Sequence, residues 1–139
     1  MKKIFTLLVA LMAVVAVNAT KAVFDFTKPT TAVGANPAIA AEPEVGKGID
    51  LTDAQTFTVD NVVMTQKKVA TTSNRIWNYG GTCQYRTYAT STLTLTAEDN
   101  ITAVEFVGNV GFAEFEGKSW VASADTKTVT FTAKQRCDI

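Results

Sequence analysis

The residues best equipped to bind something lie between Arg75 and Tyr88, where Arg75, Trp77, Tyr79, Tyr85, Arg86 and Tyr88 follow one another closely. Every tryptophan and tyrosine of the chain except Trp120 falls in this stretch. Aromatic rings stack on the apolar faces of sugars, and arginine donates hydrogen bonds to hydroxyls, so a domain displaying this set would offer a glycan-binding surface. The same residue types also suit an interior, with Ile76-Trp77 as core and the arginines stacked on tyrosines or paired with carboxylates.

Other chemistry finds less support. Histidine is absent, which removes the commonest general base and the commonest zinc ligand. Glu114 and Glu116 flank Phe115, so on a strand both carboxylates would point the same way. A glycosidase instead needs two carboxylates facing each other across the substrate. Asp50, Asp53 and Asp60 could lend oxygens to calcium, but they match no dense metal-binding loop and read more simply as turn residues. Gly80-Gly81 suits a tight hairpin turn, since no lysine and helix follow to cradle a phosphate. No catalytic residue, metal or cofactor is expected, and a small carboxylate-based hydrolase is the least supported of three functions. The 13 basic residues balance 13 acidic ones and nowhere run longer than the pairs Lys2-Lys3 and Lys67-Lys68, which excludes the footprint of a nucleic-acid binder.

The N-terminus indicates where the protein works. Lys2-Lys3, the apolar run Ile4–Val17 broken only by Thr6, and the small residues of Val17-Asn18-Ala19 form a secretory signal peptide with cleavage expected after Ala19. The run is short for a bilayer span, so no membrane insertion is expected once it is removed. The first cysteine is Cys83, so the product is no lipoprotein. It is released to the cell surface, the extracellular space or the periplasm. In that oxidising setting Cys83 and Cys137 could form a disulfide, which the chain-entropy model credits with roughly 4 kcal/mol. Two isolated buried thiols are the alternative.

The elements that must carry these residues are strands. Thr92-Leu93-Thr94-Leu95-Thr96 and Thr128-Val129-Thr130-Phe131-Thr132-Ala133 alternate threonine with apolar residues, which puts hydroxyls on one sheet face and apolar groups on the other. Phe24 and Phe26 around Asp25, Phe57 and Val59 around Thr58, and Val104-Glu105-Phe106 repeat the pattern. It predicts an all-β, antiparallel two-sheet sandwich, jelly-roll-like, as a single domain over 20–139. The first strand is expected at about Ala22–Thr27 and the next from Gln55. Between them, 28–52 reads as a long surface connection with a short edge strand around Ala38–Ala41. Turns are expected at Asn78–Gly81, Glu98–Asn100, Gly108–Gly111, Glu116–Ser119 and Ser123–Lys127.

Taken in order, Phe24-Asp25-Phe26-Thr27, Asn36-Pro37, Gly48 with Leu51-Thr52, Phe57 with Val62-Val63-Met64-Thr65, Arg75-Ile76-Trp77, Tyr85-Arg86-Thr87-Tyr88, Ser91-Thr92-Leu93 and Ile101 with Val104-Glu105-Phe106 carry a resemblance. The chain resembles a β-sandwich domain recurring in secreted surface proteins of Bacteroides- and Prevotella-type bacteria. That resemblance implies a bacterial sandwich and no particular activity. Such domains usually continue past the last threonine-rich strand, whereas this sequence stops at Cys137-Asp138-Ile139. It therefore reads either as a fragment or as a shorter variant pinned through Cys137. The expected function is non-catalytic binding of a glycan or a surface protein, with a structural spacer in a multidomain protein as the alternative.

Overall fold

The computed structural model describes residues 12–17, 20–29, 39, 41–69 and 71–139. Twelve strands run through them: β1 (Met12–Val17), β2 (Thr20–Asp25), β3 (Gly48–Asp50), β4 (Thr56–Val59), β5 (Val62–Lys67), β6 (Arg75–Tyr79), β7 (Thr82–Thr87), β8 (Thr92–Ala97), β9 (Ile101–Phe106), β10 (Ser119–Val121), β11 (Thr128–Thr132) and β12 (Cys137–Asp138). The expected all-β, antiparallel character is present. Among the described residues the strands form three four-stranded sheets rather than two, ordered β10-β9-β1-β2, β11-β8-β5-β4 and β12-β7-β6-β3.

Threonine alternation does what its period requires. Leu93, Leu95 and Phe131 are buried, while on the opposite face Thr94 Oγ1 meets Thr130 Oγ1 at 2.9 Å and Thr96 Oγ1 meets Thr128 Oγ1 at 3.3 Å. These hydroxyl pairs stand directly opposite in the β8–β11 ladder, the position at which cross-strand side chains interact. Behind them an aromatic cluster fills the interior between the first and second sheets. Phe106 stacks on Phe115 at 5.1 Å, and Phe131 meets Phe115 and Trp120 edge-on at 4.7 and 5.7 Å. Phe26, one residue past β2, joins all three sheets: its ring lies 5.6 Å from Phe57 of β4 and 5.3 Å from Tyr85 of β7. First and third sheets thus pack face to face, as in a sandwich.

The second and third sheets are tied by polar groups instead. Asn74 Nδ2 donates to Gln66 Oε1 at 2.7 Å, Thr87 Oγ1 donates to Asn74 Oδ1 at 2.8 Å, and Gln66 Nε2 donates to the Thr52 carbonyl. Gln66, Asn74 and Thr87 are all buried, and a buried polar group is tolerable only when so partnered.

Three details depart from the sequence expectation. The segment 28–52 is not merely a surface connection, because Ile39 and Leu51 are buried in the core and β3 pairs with β6. Its Pro and Gly content hid a strand too short to show periodicity; of the edge strand expected around Ala38–Ala41, Ala38 and Ala40 lie outside the described residues, and Ile39 and Ala41 are not in a strand. The end of the chain is paired: β12 adds to β7, and Ile139 exchanges both backbone hydrogen bonds with Tyr85. Finally, β1 falls inside the apolar run expected to form the signal peptide and lies between β2 and β9; most of that run, and Asn18-Ala19, lie outside the described residues.

Phe26→Ala removes the ring shared by three sheets, and a loss of about 3–5 kcal/mol is expected. Thr130→Ala removes only an exposed hydroxyl pair and should cost no more than about 0.5–1 kcal/mol. Denaturant unfolding of the two variants measures the contrast.

Candidate functional site

The Arg75–Tyr88 stretch folds as the hairpin β6–β7. Gly80 and Gly81 have φ of 61° and 95°, the left-handed pair that a two-residue type I′ turn demands and that glycine adopts at little cost. This turn fixes the register, with Tyr79 opposite Thr82, Trp77 opposite Gln84, Ile76 opposite Tyr85 and Arg75 opposite Arg86. Ile76, Asn78, Cys83, Tyr85 and Thr87 point inward and are buried. Arg75, Trp77, Tyr79, Gln84 and Arg86 therefore share the outer face, with Tyr88 just beyond the end of β7.

Five of the six residues singled out as ligand-binding are thus brought together on one surface. Tyr85 is the correction: it is completely buried and packs on Phe26. Burial pushes its phenol well above the ordinary range, so it serves the core and cannot meet a ligand at this face.

The outer face has a definite geometry. Arg86 donates from Nε to Asp138 of β12 and lays its guanidinium 4.6 Å from the centre of the Trp77 ring. Arg136 approaches the other Asp138 oxygen at 3.1 Å. Arg75 bonds Asp50 of β3 at 2.9 Å and lies 5.9 Å from the Tyr88 ring centre. Next to Trp77 on β3 stands Gly48, where a Cβ would come within 2.8 Å of Trp77 Cε3. The missing side chain is what lets the indole lie over the neighbouring strand. Tyr79, 73% exposed, extends the surface to the tip of the hairpin. The outer face thus carries half-buried Trp77 with the Arg86 guanidinium over its ring, exposed Tyr79 at the hairpin tip, and the Gln84 amide. Sequence reasoning missed Gly48, Gln84 and Asp138, whose roles come only from register across β3, β7 and β12.

The two cysteines are free and buried, which corrects the expected disulfide. Cys83 stands opposite Asn78, whereas Cys137 stands opposite Thr87 at the far end of β7. Four residues of strand separate those positions, roughly 13 Å at the rise of an antiparallel strand. A disulfide needs Cα atoms within about 7 Å. Burial pushes the Cys137 thiol from its ordinary 9.0 up to about 11; the nearby Asp138 charge adds to the rise and a backbone hydrogen bond from Gly111 opposes it. Cys83 is raised as well, by burial first and then by Glu42. Such thiols are poor nucleophiles at neutral pH.

Of the carboxylates weighed for catalysis or calcium, Glu114, Asp50 and Asp53 have other partners. Glu114 Oε2 accepts from the Thr132 amide at 2.8 Å, and Glu116 is exposed at a turn closed by its bridge to Ser119. Asp50 is paired with Arg75, Asp53 Oδ1 accepts from the Lys68 amide at 3.0 Å, and Asp60 occupies a turn with φ of 52°. No group of three or more metal-ligating side chains is gathered among the described residues. Compared with known protein families, characterised proteins and solved structures, the chain matches none.

The raised thiol and phenol make stability depend on alkaline pH. Once unfolded, Cys137 ionises near 9.0 while the folded form keeps its proton to about 11, so the unfolded state binds fewer protons in that window and stability falls as pH rises. Tyr85 acts in the same direction at higher pH. The melting temperature should therefore fall between pH 9 and 11, and Cys137→Ala should make that slope shallower. Thiol titration of unfolded, unreduced protein should count two free thiols per chain.

Proposed function

We propose that this chain is an exported, non-catalytic β-sandwich module that binds glycans through the outer face of the β6–β7 hairpin. It would belong with the secreted surface domains of Bacteroides- and Prevotella-type bacteria that its sequence resembles. The observation that carries this reading is that Trp77 and Tyr79 lie on the solvent side of the sheet although the core could have used them. Inward positions of the same strand are given to Ile76 and the polar Asn78. Keeping large aromatic area in contact with water costs stability, and a ligand surface gives that cost a use.

The exposed Tyr79 ring could stack on the apolar face of a pyranose, with the Trp77 indole beside it on the same face. Arg75 and Arg86 are held by Asp50 and Asp138, so their remaining N–H groups are already positioned for hydroxyl oxygens, which lessens the ordering cost of binding. Gln84, opposite Trp77 in register, adds an amide that both donates and accepts.

Affinity electrophoresis against bacterial and host polysaccharides, followed by a glycan array, tests the reading. Retention by at least one glycan is expected, lost more than tenfold in Trp77→Ala and Tyr79→Ala while both variants melt within a few degrees of the parent. Tyr85→Ala should instead destabilise by about 3–5 kcal/mol. No retention of the folded protein by any glycan would overturn the proposal and favour a spacer role.

A further inference from the structure

The first sheet contains a strand that the expected processing would remove. β1, Met12–Val17, hydrogen-bonds on both sides: to β2 from Met12↔Asp25 to Val17↔Thr20, and to β9 from Ala13↔Phe106 to Val17↔Ile101, with an irregularity after Ala16. Cleavage after Ala19 would leave β2 as the first strand of the mature chain and take β1 away from the middle of its sheet. Strands lie about 4.8 Å apart, so β2 and β9 would face each other across roughly 10 Å, too far to pair directly. Both run antiparallel to β1 and hence parallel to each other. Each would present a row of unpaired backbone N–H and C=O groups, and such edges pair with other strands.

The walls of that slot are apolar on the core side. Ala13 stands opposite Phe24 on one side and Phe106 on the other, and Val15 opposite Ala22 and Val104; all four wall side chains are buried. On the solvent side, position 14 stands between Val23 and Glu105, both half-exposed. The register thus specifies an occupant: an extended run of about six residues, small at the position between the two phenylalanines and β-branched apolar two residues later.

We propose that, after removal of residues 1–19, the slot between β2 and β9 is filled by an extended segment of another secreted polypeptide. That segment would carry this alternation and be inserted as a strand antiparallel to both walls. The signal peptide then has a second role, completing the sheet until the partner replaces it. Backbone hydrogen bonds supply affinity and the inward side chains supply selectivity, as in strand addition generally. The inference rests on the export reading and is independent of the aromatic face.

The test uses protein recovered after export, with its N-terminus established by mass spectrometry, and a synthetic peptide of Met12–Val17 flanked by lysines for solubility. The processed chain should begin at Thr20, bind the peptide and gain several degrees in melting temperature at saturation. The Val15→Asp peptide should bind at least tenfold more weakly. A processed, cooperatively melting chain that takes up no peptide, or forms dimers the peptide does not dissociate, would overturn the inference while leaving export intact. An exported chain still beginning at Met1 would overturn both.

Discussion

The contact between Phe26 and Tyr85 sets what the rest of the molecule can display. Tyr85 is buried against Phe26 with ring centres 5.3 Å apart, and Phe26 also reaches Phe57 of the second sheet. Because strand side chains alternate, an inward Tyr85 forces Gln84 and Arg86 outward, and the β6–β7 register carries the same parity to Trp77 and Arg75. A slip of one residue would exchange the two faces entirely. The outer face is therefore a consequence of how the first sheet docks on the third, and the Gly80-Gly81 turn transmits that choice from one strand to the next.

Polar atoms make this parity affordable. Asn78 points inward, donating to the Pro43 carbonyl and accepting from the Gly81 amide, both at 2.9 Å. Asn74, Gln66 and Thr87 complete one another's hydrogen bonds nearby. With these partners the interior accommodates amides where a simpler core would hold the indole of Trp77. On the outside, Asp50 and Asp138 hold the arginines in place from the two edge strands β3 and β12, so the face is ordered from both sides of the hairpin.

Much of the fold was legible in the sequence, because threonine alternation in β8 and β11 and the paired glycines of the hairpin are strong local signals. The parity of β6 was not legible. Hydrophobicity alone would put Trp77 and Tyr79 inside and Asn78 outside, and the reverse holds because Asn78 finds partners thirty-five residues away in sequence and at the following turn. The cysteine spacing was equally uninformative, since only the pairing of β12 beside Thr87 shows that Cys137 stands far along β7 from Cys83. Short β3 was hidden by the prolines and glycines around it. Met12–Val17 reads as a leader by composition, yet it pairs as a strand between β2 and β9.

Tyrosine nitration by tetranitromethane, mapped by mass spectrometry on the native protein, tests the parity most directly. The structure predicts rapid modification of Tyr79, slower modification of half-buried Tyr88 and protection of Tyr85 until the protein unfolds. Tyr85 reacting as fast as Tyr79 in the folded protein would contradict the account.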